Sequence, residues 1–254
     1  MKLLKKTMPY KFLSHLNKTI KFLLSPIRRP LKDFYYQKIK YSKNFYNKSF
    51  DWDWKKTNYN RIALVNFLIS KKSKNCAYLE IGCASNSLFD SVYVKNKTGV
   101  DPISGGNVRK TSDEFFKDNK KSYDVIFIDG LHSYEQVRKD IMNAMKCLNS
   151  GGWIALHDML PRNWIECNMP NISPNAWTGD VWKVAFELSQ TKGIDFRVIT
   201  IDHGVGLFRI TKKNSSLADL TGEISGRNFS YFYQQHNKLP SLDWKAAQTW
   251  IDTY

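Results

Sequence analysis

From residue 61 onward the chain alternates short apolar runs with amphipathic segments, and this alternation restricts it to very few architectures. Ala77–Ile81 is an apolar run closed by Gly82. The run 98–100 ends at Asp101, and Tyr123–Ile128 (YDVIFI) has the unbroken hydrophobicity of a central buried strand. Val108 marks a short third strand before that central, fourth one. The fifth, 153–156, is closed by His157-Asp158, and 195–201 and 205–210 flank a turn at Asp202-His203-Gly204. Helices are expected over Arg61–Ser70, after the capping pair Thr111 and Glu114, over 134–148 and over 180–190. In 134–148, Tyr134, Val137, Ile141, Ala144, Met145 and Leu148 share one face, and Ser150-Gly151-Gly152 stops the pattern. Strands separated by helices pair in parallel, whereas the last two have room only for a tight turn and must be antiparallel. The expected fold is α/β, a doubly wound seven-stranded sheet, mostly parallel with an antiparallel last strand.

Composition places this domain within a larger organisation. An aromatic share of 14% excludes a mainly disordered chain. Of 39 Lys and Arg residues, 13 fall in the first 50 positions beside a single acid, Asp33, so this segment carries +12 of the net +16. The body is nearly balanced. That argues against a nucleic-acid-binding core and for a basic arm that meets phosphates of lipid or RNA. Within 10–27, Phe12, Leu13, Leu16, Ile20, Leu23, Leu24 and Ile27 recur at helical intervals, with Lys11, Lys18 and Lys21 largely opposite, until Pro26 and Pro30 end the pattern. Such a helix lies on an anionic membrane or packs on the body or a partner subunit. Residues 31–60 are aromatic, polar and irregular, as in a linker that docks. The division is therefore a basic amphipathic helical N-terminal arm and linker (1–60), a catalytic-type domain (61–211) and a C-terminal helical extension with Trp244 and Trp250 (212–254). No run approaches the ~18 apolar residues of a membrane span, and lysines interrupt every candidate signal core. Cys76, Cys83, Cys147 and Cys167 show neither CxxC nor metal spacing. The expectation is a cytoplasmic protein with reduced thiols, peripheral to the inner face of an anionic membrane through residues 1–30, and open to homo-oligomerisation.

Ligands of such sheets bind at the C-terminal strand ends. The first strand ends in YLEIGCASNS, with Glu80 before the sharp turn at Gly82; nineteen residues further, Asp101 ends the second. That distance suits a carboxylate accepting from ribose hydroxyls. The loop has one glycine and no Walker lysine, so it does not cradle a pyrophosphate. This disfavours a nicotinamide cofactor and fits S-adenosylmethionine (SAM). From Tyr78 to Arg209, most sharply in FIDGLHSYEQVRKDI and LNSGGWIALHD, the chain resembles class I SAM-dependent methyltransferases with their Rossmann-like fold. Within that class it is similar to the small-molecule and sugar O-methyltransferases of macrocin type and the cephalosporin-hydroxylase-like proteins. The resemblance covers roughly half the chain. The family's second and third loop glycines fall at Ala84 and Asn86. The resemblance implies Glu80 and Gly82 at the methionine end of SAM, Asp101 at the ribose, and Ser112 with Asp113 at the adenine edge.

Asp129 ends the fourth strand and His157-Asp158 the fifth. Carboxylates at neighbouring strand ends repel unless a cation or proton lies between them. Such a place suits Mg²⁺, and similar families bind a metal at these two strand ends, which the resemblance maps onto Asp129, His157 and Asp158; the imidazole tilts the preference toward Mn²⁺. His132, three residues past Asp129, is positioned as a general base for a substrate hydroxyl, with Asp129 as its catalytic partner. The long loop 159–180 reads as a lid, with Arg162, Trp164 and Trp177 as candidates for gripping a sugar or another polar acceptor. The function implied is metal-assisted O-methylation of a sugar, glycan precursor or related metabolite. The competing readings are an RNA methyltransferase using the basic arm and a non-catalytic SAM-fold subunit recruiting glycan enzymes to a membrane.

Overall fold

The computed structural model describes residues 25–254. The stripe expected over 10–27, and most of the segment expected to meet a membrane, lie outside the described residues. Two compact units are present, one ending at Phe45 and one spanning Tyr46–Tyr254. In the first, helix α1 covers Ser25–Lys40 and leads into a 3-10 turn at Ser42–Asn44. The helix runs through Pro26 and Pro30, where the sequence pattern places an end, and into the stretch read as irregular. Pro26 sits in the first turn, where a missing N–H costs nothing, and no Gly or Pro follows Pro30 up to Lys40.

The second unit is built of α2 (Arg61–Ser70), β1 (Ala77–Ile81), β2 (Asn96–Val100), α3 (Ser112–Asp118), β3 (Tyr123–Ile128), α4 (Tyr134–Lys146), β4 (Leu148–Leu156), α5 (Trp182–Gln190), β5 (Ile194–Ile199), β6 (Val205–Ile210), α6 (Thr221–Ile224), α7 (Phe229–Gln235), β7 (Ser241–Leu242) and α8 (Trp244–Ile251). The sheet order is β2-β1-β3-β4-β6-β5-β7. Strand β6 runs antiparallel to both β4 and β5, and the other pairings are parallel. This is the doubly wound, Rossmann-like sheet that the alternation predicts.

Two strands differ from the sequence reading. Val108 contributes only an isolated parallel bridge to Val100, because the chain turns through Gly105 and Gly106 with positive φ and leaves one residue in register. The seventh strand is instead β7, from the C-terminal tail. The Ser150-Gly151-Gly152 stretch is also more than a helix stop. It lies inside β4, where the register against β3 shifts between Tyr123 and Val125.

One sheet face presents Tyr78, Val125, Phe127, Trp153 and Leu207 to Leu64, Val65 and Leu68 of α2 and to Ala247 and Ile251 of α8. Alternate residues Leu79, Ile126, Ile154 and Phe208 are buried on the opposite face, where α4 and α5 pack on β3, β4 and β5. The aromatic segment after Tyr46 also finds partners. Phe50 stacks on Trp52 at 4.0 Å and meets the edges of Phe229 and Phe232 of α7 at 6.0 and 5.9 Å.

The C-terminus is tied down by one carboxylate. Asp195 Oδ2 on β5 accepts from Trp250 Nε1 at 2.8 Å and from the Tyr254 hydroxyl at 2.6 Å, holding both rings edge-on over buried Trp153. Each such charge-assisted bond contributes roughly 1.5–3 kcal/mol. Asp195→Ala is expected to lower the unfolding free energy in urea by about 2–4 kcal/mol, and Asp195→Asn, which keeps one acceptor oxygen, by clearly less.

Candidate active site

The C-terminal ends of β1, β3 and β4 and the β5–β6 turn converge on one pocket of about 840 Å³. On one side, β1 delivers Glu80, which is 2% exposed. The Tyr78 hydroxyl donates to Glu80 Oε2 at 2.6 Å. Burial nevertheless pushes the Glu80 carboxyl up to about 7, against the lowering effect of that bond. Gly82 follows with φ +85, and a Cβ there would overlap the Asp129 carbonyl, so the turn lies flush against the loop after β3. Ala84 and Asn86 also have positive φ, 43° and 65°. The loop thus keeps glycine-like geometry without the glycines. Asn86 is locked by accepting from Gly106 N at 2.6 Å through its side chain.

Asp101 is the fastener of this side. Its Oδ2 accepts from the backbone of Cys83 and Ala84 at 3.1 and 3.0 Å, and its Oδ1 from Ile103 and Ser104, each at 2.8 Å. Burial pushes the carboxyl up, but these four amides hold it below its ordinary range. Asp101 therefore ties the loop after β1 to the loop after β2. Ser112 and Asp113 open α3, whose Thr111–Glu114 capping box is formed as the sequence predicts. Both are bridged by Gln136 Nε2, at 3.1 Å to Ser112 Oγ and 3.0 Å to Asp113 Oδ1.

The other side holds an ion cluster. His132 Nδ1 lies 3.0 Å from the Trp177 carbonyl, which can only accept, so this nitrogen carries a proton. That directs Nε2 at Asp129 Oδ1, 3.3 Å away. In a neutral ring a lone pair then faces a carboxylate, a repulsive pairing unless a proton or cation lies between them. Asp158 Oδ2 is 3.1 Å from His132 Nδ1 but is buried without a hydrogen-bond partner among the described residues.

His157 sits behind this group. Its Nδ1 faces Asp158 Oδ1 at 3.2 Å and Asp129 Oδ1 at 3.4 Å. On its far side, Nε2 lies 3.3 Å from Arg61 Nη1 and 3.5 Å from Asp202 Oδ1. Burial alone would push His157 down, but Asp158 and Asp129 hold it well above the usual histidine range. Burial likewise pushes Asp129 up, and the His157 charge with hydrogen bonds from His132 and His157 keeps it well below the carboxylate range. The group that converges is Asp129, His132 and Asp158, with ligand atoms all within 4.8 Å of one another. His157, the histidine of the expected set Asp129, His157 and Asp158, faces the same two carboxylates through Nδ1.

Of the three residues expected to grip an acceptor, only Trp177 lines the pocket, stacked on His132 at 5.2 Å and 18°. Gly179, with φ +58, is pressed so closely on the His132 carbonyl that no Cβ fits. Arg162 is turned to Glu166, with Nε 2.8 Å from Oε1, and Trp164 is buried. Loop 159–180 is packed rather than open, with Met159, Leu160 and Thr178 buried.

Arg61, Asp202 and Gln136 join the pocket without a signal in the sequence strong enough to single them out. Arg61 opens α2, where a positive charge is disfavoured by the helix dipole; that misplacement was the one available hint. Its Nη1 and backbone N both donate to Asp202 Oδ2, at 2.8 and 3.1 Å. The Asp202-His203-Gly204 turn forms as expected and also points two side chains inward. Among the described residues, His203 Nδ1 is buried without a hydrogen-bond partner, as is Nε1 of Trp54, whose ring lies 5.9 Å from the His203 ring. Asp158, Asp202 and His203 all have φ between 45° and 65°, backbone strain concentrated at the site.

Residues 79–159 match the model of a methyltransferase-domain family. The segment runs from β1 to just past β4 and includes Glu80, Asp101, Asp129, His132 and Asp158. That segment is thus similar to a methyltransferase domain. Its fold is similar to that of the O-methyltransferase TomG from Streptomyces achromogenes, solved with SAM, at 13% identity and a TM-score of 0.39, over 57% of this chain and 78% of that one. It is also similar to SAH-bound PaMTH1 from Podospora anserina, at 11% identity and 0.42, over 84% and 100%. A third is the mycinamycin-pathway methyltransferase MycE, solved with Mg, SAH and mycinamycin VI, at 14% and 0.36, over 57% and 48%. No curated protein sequence matches the chain.

Glu80 gives a pH signature in the ligand-free protein. Its folded pKa of about 7 lies above the ordinary 4.5, so the folded state binds the extra proton and stability falls as pH rises from 4.5 to 7. Glu80→Gln should flatten that decline and be more stable than the parent at pH 8, by on the order of 1–3 kcal/mol, in urea unfolding across pH.

Proposed function

We propose that the protein transfers the methyl group of SAM to a hydroxyl of a sugar, glycan precursor or related polar metabolite, with a divalent cation at Asp129, His132 and Asp158. The observation that carries this reading is the convergence of ligand atoms of Asp129, His132 and Asp158, all within 4.8 Å of one another. His132 Nε2 faces Asp129 at 3.3 Å, and the buried Asp158 Oδ2, 3.1 Å from His132 Nδ1, accepts no hydrogen bond among the described residues. A carbonyl-fixed histidine beside two carboxylates is a donor set for Mg²⁺ or Mn²⁺. Bound there, such an ion supplies positive charge that lowers the cost of ionising the acceptor hydroxyl.

The protein's own groups do the rest. Glu80, Gly82, Asp101, Ser112 and Asp113 line the half of the pocket assigned to SAM. Asp101 organises both loops there, a role that precedes any contact with ribose. The His157 charge keeps Asp129 ionised, and Trp177 fixes the His132 ring and walls the acceptor side against water. In the transfer, the acceptor oxygen bonds to the methyl carbon as the carbon–sulfur bond breaks, its electron pair neutralises the sulfonium, and the hydroxyl proton is released.

The 3.3 Å pairing of His132 with Asp129 also supports a metal-free reading, in which His132 Nε2 takes the hydroxyl proton and Asp129 stabilises the imidazolium. The low net charge of the body speaks against an RNA substrate, and the complete ion cluster against a non-catalytic subunit.

Calorimetric titration with SAM and SAH tests the cofactor assignment. Asp101→Ala is expected to weaken SAM at least tenfold, about 1.4 kcal/mol, and to lower stability as four amides lose their acceptor. Wild-type affinity in the folded variant rules out Asp101 as part of the SAM site.

The cation is tested by Mn²⁺ binding followed by electron paramagnetic resonance. One ion per chain is expected, lost in Asp158→Ala and retained in Arg162→Ala. Silence in the wild-type protein leaves the His132–Asp129 base as the operative reading.

A further inference from the structure

We infer that the exposed face of α1 lies on an anionic lipid bilayer. Lys32, Tyr35, Tyr36 and Ile39 follow the i, i+3, i+4, i+7 spacing of a single helix face. Tyr35, Tyr36 and Ile39 are 61%, 65% and 73% exposed. A surface helix in water turns such a stripe inward; here it faces out. Phe45, just past the helix, is exposed as well. The stripe is flanked by exposed Lys32, Lys40 and Lys43, and none of these lysines is in an ion pair among the described residues.

Charge selects the occupant. The first 50 residues carry 13 basic side chains and only Asp33 as an acid. Two copies docked through this face would set like charges against each other with almost nothing to neutralise them. Lipid phosphates supply the missing negative charge. Tyrosine, with an apolar ring and a polar tip, is suited to the headgroup layer, and lysines beside it reach the phosphates. No described helix is long and apolar enough to cross a membrane, so the contact is interfacial.

The test is co-sedimentation of the full-length protein with vesicles of mixed phosphatidylglycerol and phosphatidylcholine, or of phosphatidylcholine alone, at low and high salt. Binding is expected to the anionic vesicles, weaker at high salt. The triple variant Tyr35→Ser, Tyr36→Ser, Ile39→Ser is expected to reduce the bound-to-free ratio by about tenfold or more with an unchanged thermal midpoint. A second variant, Lys32→Gln, Lys40→Gln, Lys43→Gln, is expected to reduce binding mainly at low salt. The inference is overturned if the full-length protein stays in the supernatant with anionic vesicles at low salt, or if the serine variant binds as tightly as the parent. It is also overturned if sedimentation equilibrium shows that the serine substitutions dissolve a dimer while vesicle binding persists; the face would then join two copies of the chain.

Discussion

The site is organised around one buried imidazole among three carboxylates. His157 touches Asp129 and Asp158 through one nitrogen and approaches Asp202 and Arg61 through the other. Charges this close and this buried are tolerated only when they neutralise one another. The cluster therefore links four parts of the chain: the ends of β3 and β4, the β5–β6 turn and the start of α2. Removing His157 would leave mutually repelling carboxylates at adjacent strand ends. Asp158 and Asp202 adopt left-handed backbone, a region aspartate enters more readily than most residues, and the same contacts hold them there.

The half of the pocket formed by the loops after β1 and β2 is held by a different device. There Asp101 gathers four backbone amides from two loops, and Asn86 adds a fifth tie to Gly106. These bonds let Ala84 and Asn86 adopt conformations ordinarily left to glycine. The pocket thus combines a stiff, backbone-lined half with a charged half. Trp177 stands at the charged end, where its carbonyl sets the tautomer of His132 and its ring sets the plane.

Much of this was legible in the sequence because it is local. Hydrophobic period and turn residues fix β1, β3, the capped α3 and the antiparallel β5–β6 pair, since each depends on neighbours a few positions away. Strand ends carrying Glu80, Asp101, Asp129 and Asp158 follow directly, because a buried strand stops where a carboxylate must meet solvent or a ligand. The motif around FIDGLHSYE places His132 beside Asp129 for the same reason: three residues cannot separate them far.

Tertiary structure alone decided the rest. Whether His132 or His157 stands open beside the two carboxylates depends on what occupies each ring's second nitrogen, and those occupants are the Trp177 carbonyl, Asp202 and Arg61, 45, 45 and 96 residues away respectively. Likewise Arg162 looks available in sequence but is consumed by Glu166 one helical turn on. Val108 forms one bridge instead of a strand, and Ser241–Leu242 supplies the seventh strand, because sheet edges are completed by whichever segment can reach them. Sequence period determines which side chains face inward; only the closed fold determines which polar groups meet there, because hydrogen bonds and charges are satisfied in space without regard to distance along the chain.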